Sequence, residues 1–243
     1  MITAGRILLA LGLLATSFSA ALAGPKAVVE LFTSEGCSSC PPADAFLAEL
    51  ADREDVLALA YHVDYWDYLG WKDTLGRPEN TERQREYARV RGDSRVFTPQ
   101  MIVNGSRSFV GSHRGEVSGA IAGSELPIPV EMRNAPDSTI EIRVGANPTT
   151  TRRRTTIRFI LYKRQAQVAI QRGENAGKLI DYRNVVTSIR PIGMWKGPAV
   201  TVSLPAREVM SGEADGCAVI VQEDTGSGPG AILGAAELDW PQS

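Results

Sequence analysis

The chain has 243 residues, 26 basic against 28 acidic, a formal charge of −2 and 43 % hydrophobic content. That near-balance, with no clustered basic face, argues against a nucleic-acid partner. Three cysteines are too few for a disulfide-stapled scaffold, and their odd number leaves one over.

The first 23 residues read as an address rather than as structure. Arg6 supplies the positive start, Ile7 to Ala15 the apolar stretch, and Ala21-Leu22-Ala23 an A-x-A cleavage site before Gly24. The apolar stretch is shorter than the roughly 20 residues of a membrane span, and no Cys follows the cleavage site to carry a lipid. The expectation is an exported chain, periplasmic or secreted, with a signal peptide over 1–23 and no membrane span in its mature form.

Ala27–Thr33 is an apolar run that predicts a buried strand. Ser34-Glu35-Gly36 turns it into a helix reaching about Asp52, with Ala43, Phe46, Leu47 and Leu50 on one face and Asp44 and Glu49 turned outward. Val56–Val63 predicts a second strand, and the strand–helix–strand order implies a parallel pair. An irregular segment follows in which Tyr61, Tyr65, Trp66, Tyr68 and Trp71 crowd together. It reads equally as a wall gripping a substrate beside the disulfide and as a cap over the core.

Pro78 opens a helix supported by Glu79 and Arg83 at i, i+4, and Gly92 closes it. Gln100–Val103 and Arg107–Val110 flank Asn104-Gly105, a strong hairpin signal. A third helix is expected over His113–Ala122. Gly123–Pro129 reads as a linker. Beyond it, alternation at Ile140/Ile142/Val144, Ile157/Phe159/Leu161 and Val200/Val202/Leu204 suggests several short strands in a sandwich. The basic run Arg152-Arg153-Arg154 is read as a solvated hairpin turn. The expected division is 24–126 and 127–243.

The chemistry concentrates at Cys37-Ser38-Ser39-Cys40. Residues i and i+3 on a helix lie about 5–6 Å apart at Cβ, which suits a disulfide. A thiol at the first turn of a helix faces free backbone N–H groups and the positive end of the dipole. Such thiols become thiolates near neutral pH. A C-x-x-C is also half a zinc site, yet only His62 and His113 are present to complete one. The order strand, turn, C-x-x-C, helix favours redox. Cys217, in the apolar run Gly216–Val221, is read as an inert core thiol, and His62 as a satisfied core histidine.

Cys37–Cys40 after its strand, with Thr98-Pro99 running into Gln100–Gly105, resembles the thioredoxin superfamily. That resemblance implies a cis Pro99 beside the disulfide and a Thr98 that offers its backbone to a substrate. More closely, the run Glu30–Asp44 resembles an exported family, number twelve-twenty-three among the domains of unknown function. So do His62-Val63-Asp64-Tyr65-Trp66-Asp67, Phe97-Thr98-Pro99-Gln100-Met101 and Arg172-Gly173-Glu174-Asn175-Ala176-Gly177-Lys178. The family resemblance implies an α/β thioredoxin-like N-terminal domain and a β-rich, sandwich-like C-terminal domain, with no assigned substrate. Gly36 before the first Cys, the Ser38-Ser39 pair and Pro41 after the second depart from ordinary thioredoxins, and leave the redox direction open.

The functional expectation is a thiol–disulfide oxidoreductase without a cofactor or a metal. Cys37, the more exposed thiol, attacks; Cys40 resolves; Thr98, Pro99, Trp66 and Tyr65 hold the substrate; Asp64 is a candidate for proton transfer. Its substrate would be a protein or small-thiol disulfide, and its redox partner is unknown. The alternatives are a binding or assembly protein with a structural disulfide, and a metal carrier using both thiolates with His62.

Overall fold

The computed structural model describes residues 24–93, 95–147, 154–209, 212 and 214–239. The signal-peptide expectation, with Arg152 and Arg153 of the basic run, lies outside them. Among the described residues no helix is long and apolar enough to cross a membrane.

The first half runs β1 (Ala27–Thr33), α1 (Pro41–Ala51), β2 (Val56–His62), a 3-10 turn at Asp67–Leu69, α2 (Pro78–Arg91), β3 (Gln100–Val103), β4 (Arg107–Val110) and α3 (Arg114–Ala122). β1 pairs parallel with β2 and antiparallel with β3. Both β1 and β2 are buried along their whole length because each face is covered. Val29 and Leu31 pack with Phe46, Leu47 and Leu50 of α1. Val28 and Phe32 pack on the other side with Tyr61 and with Tyr87 of α2.

α2 buries a polar face. Arg83 is not the exposed partner of Glu79 that helical spacing suggests; it is 5 % exposed and bonds Glu30 of β1 at 2.8 Å. Tyr87 also donates to Glu30, and Gln222 joins both through Arg83 and Tyr87. At the β3–β4 hairpin Asn104 and Gly105 both have positive φ. A Cβ on Gly105 would stand 2.4 Å from the Gly230 carbonyl oxygen, so only glycine fits there.

The second half runs β5 (Val130–Asn134), β6 (Thr139–Val144), β7 (Arg154–Ala169), β8 (Leu179–Trp195), β9 (Val200–Pro205), α4 (Ala206–Val209), β10 (Gly216–Asp224) and β11 (Pro229–Asp239). Here the structure corrects the expected fold class. The chain does not build an α/β thioredoxin-like unit beside a separate sandwich. Strands from both halves form one mixed eight-stranded sheet in the order β11-β10-β7-β8-β2-β1-β3-β4, and a three-stranded sheet β5-β6-β9 stands apart.

The join lies between β2 and β8, where Ala60 pairs with Val185. Asn184, at φ 48°, turns its side-chain amide onto the Ala58 carbonyl at 2.9 Å. The strands expected to be short are long: β7 has 16 residues and β8 has 17. One end of this ribbon packs with Ile140, Ile142 and Val144 of the small sheet. The other end sends Ala166, Tyr182 and Val185 into the core beneath α1. At about 3.3 Å per residue, that length carries the β7–β8 turn across to the first half of the chain.

Candidate functional site

Cys37 and Cys40 are joined in a disulfide, their Cα atoms 5.4 Å apart, on the connection from β1 to α1. The Cys37 N–H donates to the Ser34 carbonyl at 3.1 Å and the Cys40 N–H to the Cys37 carbonyl at 3.2 Å. Cys40 is the N-cap of α1, and Pro41 and Pro42 occupy the first turn. Those prolines remove two donors, while the N–H groups of Ala43 and Asp44 both turn to the Cys40 carbonyl. The free N–H groups expected around the thiol are therefore largely missing. What remains is the helix dipole and the Ser39 hydroxyl, 3.4 Å from Cys37 Sγ. Cys37 is 2 % exposed and Cys40 0 %, while Ser38 and Ser39 between them are exposed.

Trp66 and Thr98 meet beside this turn. A Cβ on Gly36 would lie 3.3 Å from Trp66 Cβ, and Trp66 Nε1 donates to Thr98 Oγ1 at 2.8 Å. Tyr65 donates to Gln84 Oε1 at 3.1 Å, and Gln84 in turn holds the Phe97 carbonyl and Gln100. The Thr98–Pro99 peptide is cis, and Pro99 lies near Ala43 of α1 across Gly111. Asp64 is placed differently: its carboxylate accepts from Thr81 of α2 at 2.6 Å. Of the five clustered aromatics, Tyr61 is wholly buried and Tyr68 is 78 % exposed. The segment both caps the core and borders the disulfide.

Behind the disulfide lies a buried set of acids. Glu35 accepts from Thr74 at Oε1 and from Trp71 Nε1 at Oε2. Asp73 accepts from the Glu35 and Leu75 N–H groups and from His62 Nδ1. Burial lowers the affinity of His62 for its proton, but the charge and hydrogen bond of Asp73 outweigh it and raise the imidazole above its usual range. Burial and the Asp73 charge push Glu35 up. Asp44, expected on the outer face of α1, is 4 % exposed and accepts from Thr33 Oγ1 at 2.7 Å. Burial pushes its carboxyl up to about 7.

The second half of the chain reaches this site through the β7–β8 turn. Asn175 Nδ2 donates to the carbonyls of Glu35 and Cys37, each at 2.9 Å. Lys178 Nζ donates to Asn175 Oδ1 at 2.8 Å. Gly173, at φ 80°, passes so close to Trp71 that a Cβ there would sit 3.2 Å from Trp71 Cβ.

The sequence matches, over residues 28–222, the family described as Protein of unknown function (DUF1223). The chain belongs to that family. Its fold is similar to the crystal structure of protein AGR_C_4864 from Agrobacterium tumefaciens, at 38 % identity and a TM-score of 0.80, over 90 % of this chain and 96 % of that one. HBP35 of Porphyromonas gingivalis shares the fold alone, at 12 % identity and a TM-score of 0.60, over 90 % of this chain and 76 % of that one. No curated protein matches the sequence.

In this DUF1223 member, Glu35, His62 and Asp73 offer one ligand atom each within 4.8 Å of one another. Each of those carboxylates already accepts from several N–H or O–H donors, so a cation would have to displace bonds that satisfy them. His62 Nδ1 is held by Asp73, and its Nε2 is buried without a hydrogen-bond partner. Cys217 is wholly buried, and burial pushes its thiol up to about 12. Sequence reasoning missed Asp44, Asp73 and the role of Asn175. The usable signals were the i, i+4 spacing of Asp44 from Cys40 and the Arg172–Lys178 motif.

Proposed function

We propose that the protein is an exported thiol–disulfide oxidoreductase of the periplasm or extracellular space. The observation that carries this reading is the Cys37–Cys40 disulfide on a strand-to-helix turn, with the Ser39 hydroxyl on Cys37 Sγ. The leader-like composition of the first residues supports export, which N-terminal sequencing of periplasmic and extracellular fractions tests.

In the reducing direction the Cys37 thiolate attacks one sulfur of a substrate disulfide. A Cys37–substrate S–S bond forms, the substrate S–S bond breaks, and the departing thiolate takes a proton from water. Cys40, as thiolate, then attacks Cys37 Sγ and expels the second substrate thiol. The substrate disulfide is reduced to two thiols as the Cys37/Cys40 dithiol is oxidised, and a thiol compound must restore the dithiol. In the oxidising direction the same steps run backwards, and a disulfide compound restores the bond. Trp66, Thr98 and Pro99 border the approach to Cys37, and Tyr65 braces them through Gln84.

Insulin reduction and reduced-ribonuclease oxidation test the reading. Turnover in at least one direction, lost in Cys37→Ser, is expected. No turnover in either direction, with Cys37→Ser equal to wild type, refutes it.

A second reading is supported by the 2 % exposure of Cys37: a binding or assembly protein in which the bond is a staple. Structural disulfides have potentials below about −300 mV, and that value separates the two.

A further inference from the structure

From Gln171 to Leu179 every residue is exposed except Asn175, which is 1 % exposed. Burying a primary amide from an exposed turn is costly unless its polar atoms are paired. Here both Nδ2 hydrogens and Oδ1 are engaged. The two acceptors, the carbonyls of Glu35 and Cys37, bracket Gly36. The donor to Oδ1 is the Lys178 ammonium, so the chain ammonium–amide–carbonyl is charge-assisted and each bond polarises the next.

This arrangement acts on the Cys37 sulfur. A carbonyl oxygen beside a thiolate repels it, and the Cys40 N–H, at 3.2 Å, satisfies only one lone pair of the Cys37 carbonyl. The titratable groups of the surrounding elements add to that burden: Glu35 on the turn after β1, Asp44 on α1 and Asp73 in the loop are carboxyls, opposed by His62 on β2. The prolines that open α1 have removed donors that would otherwise help the anion. The Asn175 amide, polarised by the Lys178 ammonium, supplies positive potential from outside the helix.

We propose that Asn175, polarised by Lys178, is a positioning residue of the Cys37/Cys40 couple. It fixes the Cys37 backbone and favours the Cys37 thiolate once the disulfide opens, so the second half of the chain tunes the redox centre of the first. The proposal rests on the oxidoreductase reading, and it deepens that reading by making the couple more oxidising.

The test is the alkylation rate of Cys37 by iodoacetamide in the fully reduced whole chain. It is followed from pH 4 to 10, with the labelled cysteine identified by mass spectrometry, and is paired with the glutathione equilibrium of the couple. Asn175→Ala is expected to slow alkylation at pH 7 about tenfold and to move the profile to higher pH. It should shift the glutathione equilibrium about tenfold towards the disulfide, about 30 mV. Lys178→Met, a change at an exposed residue that keeps the fold, should move both readouts the same way by less. In the Asn175→Ala background it should add nothing, because Lys178 acts through Asn175.

A wild-type profile in Lys178→Met overturns the proposal. So does an Asn175→Ala protein whose melting temperature falls while its profile and equilibrium stay unchanged. Neither readout needs a substrate. Failure of every substrate assay with these shifts intact would therefore refute the oxidoreductase reading and leave the tuning by Asn175 standing.

Discussion

Asn175 Nδ2 lies 2.9 Å from the Cys37 carbonyl oxygen, although 138 residues separate the two in sequence. A continuous eight-stranded sheet makes that contact possible, because the β7–β8 ribbon crosses from the small sheet to the disulfide. The disulfide turn is thus held by residues from both halves of the chain.

Asp44 gives stability a pH signature. Its usual value of 3.8 is pushed to about 7 by burial, opposed by the Thr33 hydroxyl of β1 and His62 of β2 and reinforced by Asp73. A carboxyl raised on folding contributes stability that is full below about pH 4 and is lost as pH rises through 7. Asp44→Asn keeps an acceptor for Thr33 but cannot ionise. In urea unfolding the variant should match wild type at pH 4 and exceed it at pH 8, by an amount on the order of 4 kcal/mol at most.

Arg83 and Glu30 form a buried pair whose separation exposes neither charge to water. Arg83→Met leaves Glu30 without its cation, and should cost about 3–5 kcal/mol in urea unfolding. The double variant Glu30→Leu/Arg83→Met should be more stable than Arg83→Met alone. This pair seats α2, which carries Gln84 and Thr81 to the aromatic segment.

The Trp66–Thr98 bond joins the two segments expected to receive substrate. Trp66→Phe and Thr98→Val each remove it, and their double-mutant cycle should show a coupling of about 0.5–1.5 kcal/mol in stability. In the insulin assay Trp66→Phe should raise KM with kcat nearly unchanged.

Cys217 should be silent. Native oxidised protein should show no thiol reactive to Ellman's reagent at pH 8. The same protein in guanidinium should show one per chain, labelled at Cys217 by mass spectrometry.

Much of the first half was legible. The unbroken apolar runs of β1 and β2, the Asn104-Gly105 turn and the prolines opening two helices are local signals, and local signals survive folding. Asp44 misled because polarity was read as exposure, whereas Thr33 gives its carboxyl a buried partner. Asp73 lies in an irregular segment with no period to read. The second half was misread for a related reason: β7 is buried on both faces over Phe159–Tyr162 and β8 over Asn184–Val186, so alternation marks only parts of them. The partner of β2 is fixed by a single backbone pair and by Asn184, and neither leaves a pattern in sequence. Asn175 stood inside a recognised motif, but its acceptors are backbone carbonyls, to which sequence is blind.

The midpoint potential of the Cys37/Cys40 couple, measured by glutathione equilibration of the whole chain, tests the central claim most directly. A working exchange centre should lie in the range of known active dithiols, between about −120 and −270 mV. A value below about −300 mV would contradict the account and mark the bond as a staple.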